Sequence, residues 1–174
     1  EVLIAVDAAG VCGTDRHIFH WDPSVSAMLA PPVVIGHEFC GNVEAVGSGV
    51  EDWGEGDYVS AEMHIVCGRC RACRSSNHHV CENTRIAGLH RDGSFAEYVV
   101  VPAANLVRLD PEVVPPHLAP FPDALRNAVH TAQAARSPSG RPVPLSGPAA
   151  IGAMAAAPAQ PEGAASLPLA EVAP

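Results

Sequence analysis

Val33-Val34-Ile35-Gly36-His37-Glu38-Phe39-Cys40-Gly41-Asn42-Val43-Glu44-Ala45-Val46-Gly47-Ser48-Gly49-Val50 is the stretch that decides the fold. An apolar run leads to Gly36, and Gly41–Val46 follows as a short strand closed by Gly47-Ser48-Gly49. The same grammar continues on both sides. Val2–Val6 reads as a strand running toward Cys12-Gly13, Trp53–Asp57 as a turn before Tyr58-Val59-Ser60, and Phe95–Val101 as a β-rich run closed by Pro102. Short strands punctuated by Gly and Pro predict a mainly β chain that closes as a compact barrel. A helix is expected only around Ala124–Ala135, and the sequence has no internal repeat.

The chain has 174 residues, enough for one domain of ordinary size with an appendage. Ten Lys+Arg against nineteen Asp+Glu give a formal charge of −9, which leaves no basic stripe for nucleic acid or an anionic membrane. No apolar run approaches the roughly 20 residues that span a bilayer, and no signal peptide is recognisable, so a cytoplasmic location is expected. Every Cys, Trp, Tyr and Phe falls in residues 1–136. From Ser137 to Pro174, 27 of 38 residues are Ala, Pro, Gly or Ser. Few large side chains there offset a chain entropy of about 1–2 kcal/mol per ordered residue, so the expectation is a disordered tail after a domain of residues 1–136. An opening in mid-strand without an initiating Met leads us to expect a fragment that lacks its first strands.

Cys67, Cys70, Cys73 and Cys81 make the pattern C-x2-C-x2-C-x7-C. Three thiols spaced by two residues converge, and the fourth returns after one excursion, as a structural four-thiolate zinc site requires. Arg69, Arg71 and Arg74 lie between them, where cations offset the excess negative charge. Two alternatives remain open. A disulfide set needs an oxidising compartment. A [4Fe–4S] site of bacterial ferredoxin type wants its fourth Cys at position 77, which is Asn77.

A second constellation is Cys12-Gly13-Thr14-Asp15-Arg16-His17 together with Gly36-His37-Glu38. His37-Glu38 is not a metalloprotease helix, because Gly41 stands where a second His is needed. Cys12, His37 and Glu38 offer a thiolate, an imidazole and a carboxylate, a set suited to a catalytic zinc that keeps one position open. Thr14 and His17 follow closely and form a candidate proton relay. Cys40 reads as a packed thiol; His20, His78, His79, His90, His117 and His130 read as surface or loop residues.

These segments resemble the zinc-dependent medium-chain alcohol dehydrogenase family, whose signature G-H-E-x-x-G-x5-G-x-x-V runs intact from Gly36 through Gly41 and Gly47 to Val50. Cys12-Gly13-Thr14-Asp15, His64-Ile65-Val66-Cys67-Gly68, His79-Val80-Cys81, Asp92-Gly93-x-Phe95-Ala96-Glu97-Tyr98 and Asn127-Ala128-Val129-His130-Thr131 resemble its L-threonine 3-dehydrogenase branch. The resemblance implies a GroES-like catalytic domain with one catalytic zinc (Cys12, His37, Glu38) and one structural zinc. It implies oxidation of the L-threonine hydroxyl to 2-amino-3-oxobutanoate with NAD as acceptor, the zinc serving as Lewis acid. Thr14 and His17 become the relay, His64 a substrate-binding residue and Asp123 an acid near the zinc. Oligomerisation is expected of the family. A polyol or alcohol dehydrogenase of the same family is the nearest substrate alternative, and a non-catalytic zinc-binding module the alternative from another class.

Two departures stand out. The family's acid-Pro-apolar-Gly-Asn register appears here as Asp123-Ala124-Leu125-Arg126-Asn127, with a cation replacing Gly. The expected dinucleotide-binding βαβ segment appears degraded and truncated. Gly147 and Gly152 keep the first and third glycines of G-x-G-x-x-G, beside Ile151, but the middle one is Ala149. Pro158 and Pro161 fall in the crossover helix, at about 3 kcal/mol each in a helix interior. Glu171 lies where the ribose-binding acid belongs. A fragment that is inactive by itself is therefore expected.

Overall fold

The computed structural model describes residues 1–120, 122–135, 142, 144–147, 150–159 and 168–170. The chain divides into two units, Glu1–Phe121 and Pro122–Pro174.

The first unit is mainly β. Its strands are β1 (Val2–Gly10), β2 (Glu38–Val46), β3 (Tyr58–Ala61), β4 (His64–Ile65), β5 (Arg85–Ile86), β6 (Tyr98–Val101) and β7 (Leu106–Arg108). Five of them form an antiparallel sheet in the order β6-β1-β2-β3-β7, and β4 pairs separately with β5. Alternation drives the assembly. Val2 and Ile4 of β1, Phe39 and Val43 of β2, Val59 of β3, and Val99 and Val101 of β6 turn inward onto one core. Each such side chain contributes roughly 1.5–3 kcal/mol when fully buried.

Strand existence matches the sequence reading better than strand ends do. β2 begins at Glu38, three residues before the expected Gly41, because the ladder with β1 extends until Gly10 pairs with Glu38. β6 begins at Tyr98 rather than Phe95. β7 has three residues, too few for an alternation to be visible.

The expectation of a single helix is corrected. α1 (Gly13–Phe19), α2 (Pro23–Ser26) and α3 (Arg71–Arg74) lie in the first unit. Elements of four to seven residues carry too little periodicity to be read from pattern. α1 and α2 are held by contacts distant in sequence, since Ile18 and Val25 join Leu29 and Leu89 in a second small core, whereas α3 is capped by the Cys70 sulfur.

The second unit begins with α4 (Pro122–Ala135), which places the unit boundary ahead of the expected break at residue 136. β8 (Leu145–Ser146), α5 (Ala150–Ala159) and β9 (Leu169–Ala170) follow, and β8 pairs with β9 in parallel. These described segments form a strand, a helix and a parallel strand in the stretch read from sequence as a degraded βαβ segment and a disordered tail. α4 packs on α5, and the alanine run of α5 has high intrinsic helix propensity. That helix continues through Pro158, which carries no N–H and so leaves one i→i−4 bond unmade near its end. Glu171, Ala149 and Pro161 lie outside the described residues. No described helix is long and apolar enough to cross a membrane.

Candidate functional site

The register of β1 with β2 builds the first site. Because the strands are antiparallel, the end of β1 at Gly10 meets the start of β2 at Glu38. Cys12 lies two residues beyond one end and His37 one residue before the other. Their side chains meet, with the Cys12 Sγ 2.8 Å from the His37 Nε2. Gly36 permits this approach: its φ is +94°, and a Cβ there would fall on the Phe95 ring.

Cys12 also caps α1. Its sulfur accepts from the Thr14 N–H at 3.2 Å, and its own N–H donates to the Asp15 Oδ2 at 2.9 Å, closing a capping box. The other Asp15 oxygen faces the His37 Nδ1 at 3.7 Å. Asp15 and His37 are both buried. Cys12, Asp15 and His37 each bring one ligating atom within 4.8 Å of the others. Asp15 stands inside the Cys12–His17 motif without a role legible from residue type alone. The signal available was its position three residues after a residue that starts a helix.

Electrostatics in this trio draw the Cys12 thiol downward and the His37 ring upward from their ordinary values. Burial pushes the Cys12 thiol up, but the hydrogen bond with His37, with further bonds from Asp15 and Thr14, outweighs it and the net shift is downward. Burial pushes the His37 ring down, and the bond and charge of Cys12, with the charges of Asp15 and Glu38, turn the net shift upward. Glu38 is buried, and burial drives its carboxyl up. Its Oε2 lies over Gly10, where a Cβ would come within 2.8 Å of it. Glu38 is therefore beside the trio rather than part of it. A tetrahedral zinc would separate sulfur from imidazole nitrogen by about 3.5 Å. The pair must open by about 0.7 Å to admit one, and the soft sulfur, imidazole and nearby carboxylates match the chemistry of zinc.

Thr14 and His17 stand three residues apart on one face of α1. Thr14 is half-buried beside Cys12; His17 is exposed, and its Nδ1 lies 2.5 Å from the Asp22 Oδ2. His64, half-buried on β4, is held by Glu62, whose Oε1 lies 2.6 Å from the ring Nδ1 and accepts from the His64 N–H at 2.9 Å. Asn105 donates to the carbonyls of Glu62 and His64. Asp123 is buried in the first turn of α4, in the second unit.

The four-cysteine lobe is compact. Cys67, Cys70, Cys73 and Cys81 bring their sulfurs within 4.8 Å of one another. The Cys81 and Cys67 sulfurs are 3.6 Å apart, and those of Cys70 and Cys81 3.9 Å. Four sulfurs at about 2.3 Å from one zinc lie about 3.75 Å apart, so this spacing fits that ion closely. Backbone N–H groups of Cys67, Cys70 and Cys73 point at sulfurs of Cys81, Cys67 and Cys70. Backbone donors hold Cys67 down to about 6 and lower Cys81, whereas burial raises Cys73. Cys40 is fully buried, between Tyr58 and the Pro116 carbonyl, as a packed thiol should be. The six histidines assigned to surface or loops are all exposed.

In the second unit, Gly147 has φ +80°, and a Cβ on Gly152 would fall on the Gly147 carbonyl. The two glycines thus have distinct steric reasons, one after β8 and one in the first turn of α5, where Ile151 is exposed.

The alcohol dehydrogenase GroES-like domain model matches residues 1–111. The chain belongs to this family. It is 47% identical over 164 residues to an L-threonine 3-dehydrogenase of Pyrococcus abyssi, covering 94% of this chain and 47% of that protein. Among solved structures it is similar to galactitol-1-phosphate dehydrogenase from Escherichia coli, with 30% identity and a TM-score of 0.85 over 97% of this chain and 47% of that one. It is also similar to a cobalt- and zinc-bound alcohol dehydrogenase from Pyrobaculum aerophilum, with 32% identity and a TM-score of 0.82 over 95% and 49%. The chain spans about half the length of the relatives it matches.

Proposed function

We propose that residues 1–121 are the metal-holding part of an NAD-dependent zinc dehydrogenase that oxidises the hydroxyl of L-threonine to 2-amino-3-oxobutanoate in the cytoplasm. The observation that carries this reading is the meeting of Cys12 and His37 at 2.8 Å, backed by Asp15, in a chain of this family. Closure of the sheet as a GroES-like barrel, with the four-cysteine lobe holding a structural zinc, belongs to the same reading.

Zinc, when bound at Cys12 and His37 with Glu38 close by, supplies Lewis acidity toward a substrate hydroxyl. The residues do the rest. Asp15 orients the His37 ring, Thr14 and His17 carry the hydroxyl proton toward solvent, and His64 meets the substrate. Asp123 is assigned near the zinc by family register alone. The 174-residue chain by itself is proposed not to turn over threonine, because Ala149 replaces the glycine that lets backbone approach a pyrophosphate. Gly147, Ile151, Gly152 and Glu171 are a remnant of that site.

The test has two parts. Reduced, freshly purified chain should hold two zinc ions and show no NAD binding by calorimetry. A fusion of residues 1–131 to the dinucleotide domain of an L-threonine 3-dehydrogenase should produce NADH on addition of threonine. One zinc rather than two would favour a non-catalytic zinc module. A fusion that binds two zincs and oxidises polyols in preference would favour the polyol reading, which the similarity to galactitol-1-phosphate dehydrogenase supports.

A further inference from the structure

We propose that Asp22 fixes the tautomer of His17, keeping a proton on Nδ1 so that the neutral ring offers Nε2 as a bare acceptor. Three observations converge on Asp22. Its Oδ2 lies 2.5 Å from the His17 Nδ1. An ionised carboxylate only accepts, so the ring nitrogen facing it must be the donor. A neutral imidazole carries one N–H, and with that proton on Nδ1 the lone pair is on Nε2.

The second observation is what Asp22 leaves undone. It is the N-cap residue of α2, with Pro23 following, a position where an Asp side chain ordinarily accepts from the helix's first N–H groups. Here it makes no side-chain cap bond. The carboxylate is turned onto His17 instead.

The third is the backbone that delivers it. The Asp22 N–H donates to the His17 carbonyl at 3.0 Å and the Trp21 N–H to the Ile18 carbonyl at 2.9 Å. These are the paired bonds of a Schellman helix end, with Trp21 in the left-handed position at φ +55°. Glycine is the usual occupant, and a tryptophan is strained there. The turn nevertheless brings residue 22 back over residue 17, so Asp22 is tied to His17 through both backbone and side chain.

The functional consequence rests on the proposed relay. A relay member must have a bare nitrogen to take the proton passed outward from Thr14, and a carboxylate at the other nitrogen holds the ring in that tautomer and orientation, the logic of an Asp–His pair in acid–base catalysis. His17 is exposed and Asp22 partly so, and the proton leaves to water from there. Asp22 is a positioning residue, since it acts through His17.

The test reads the tautomer directly. Nitrogen-15 NMR of the 174-residue chain, at a pH above the titration of the ring, should show the His17 proton on Nδ1, with the signals assigned by their loss in His17→Gln. In Asp22→Ala the proton should move to Nε2, the form free imidazole side chains favour, while the remaining amide spectrum is retained. Asp22→Glu, which keeps a carboxylate, should restore the Nδ1 form at least in part. A wild-type ring protonated on Nε2, or an unchanged tautomer in a folded Asp22→Ala chain, would overturn the proposal. Neither readout depends on zinc or turnover. An Nδ1 proton in a chain whose Cys12 site takes no zinc would therefore sink the relay reading and leave the role of Asp22 standing.

Discussion

The Cys12 sulfur and the His37 Nε2 lie 2.8 Å apart although 25 residues separate them, and the β1–β2 register is what brings them together. A thiol and an imidazole in hydrogen-bond contact share one proton, and each shifts the other toward its charged form, Cys12 downward and His37 upward.

Chelator-stripped protein should therefore alkylate at Cys12 with a pH midpoint below the ordinary thiol value of about 8.5. His37→Gln removes the partner that lowers the thiol, so the midpoint should move up, because burial then acts on Cys12 with less opposition. Mass spectrometry of iodoacetamide-treated protein across pH reads this. A midpoint that does not respond to His37→Gln would show that the two side chains are not in contact in solution.

Asp15 serves two neighbours, and two substitutions separate them. Asp15→Asn keeps an acceptor for the Cys12 N–H and removes the charge facing His37. It should leave stability within about 0.5 kcal/mol and weaken zinc binding at Cys12 by roughly 10–100-fold, the scale of a ligand-orienting residue. Asp15→Ala should cost about 1 kcal/mol more in urea unfolding, the worth of a helix cap. Equal zinc affinity in wild type and Asp15→Asn would exclude an orienting role.

Stepwise addition of a chelator should remove zinc from the Cys12 site before the lobe of Cys67, Cys70, Cys73 and Cys81, which offers four sulfurs at close to zinc-tetrahedral spacing. Cys70→Ser should lose the tightly held ion, and Cys12→Ser the weakly held one. Elemental analysis after each step decides the order, and simultaneous release of both ions would contradict it.

Trp21→Gly should stabilise the first unit by about 1 kcal/mol. Glycine adopts φ +55° without the steric penalty that a side chain meets there, and the tryptophan is more than half exposed, so little packing is lost. Urea denaturation measures the difference. A loss of stability instead would mean that the indole contributes packing that outweighs the backbone strain.

Much of this protein was legible in its sequence because the relevant signals are local. Cysteines separated by two residues need only a tight turn to meet, so the spacing of Cys67, Cys70 and Cys73 announced a cluster, and the return of Cys81 needed the fold. The Gly36–Val50 signature identified the family, and the apolar run Val2–Val6 and the β-rich run ending at Val101 announced strands. Segments of four to seven residues were invisible for the converse reason. α1 depends on a cysteine used as a cap and on Ile18 reaching Leu89 in the second core, neither of which is a feature of periodicity.

The sequence by itself determined the residue types: which side chains can bind a metal, where strands begin to alternate, and where glycine is obligatory. Only the tertiary structure decided which of them meet. An antiparallel register converts the sequence positions of Gly10 and Glu38 into a shared place, and with them brings Cys12 to His37 and Asp15 to both. The helix end at Trp21 likewise returns Asp22 to His17. Pairing of strands and closure of turns are set by summed burial and backbone hydrogen bonding over the whole unit, so no short stretch of sequence contains them.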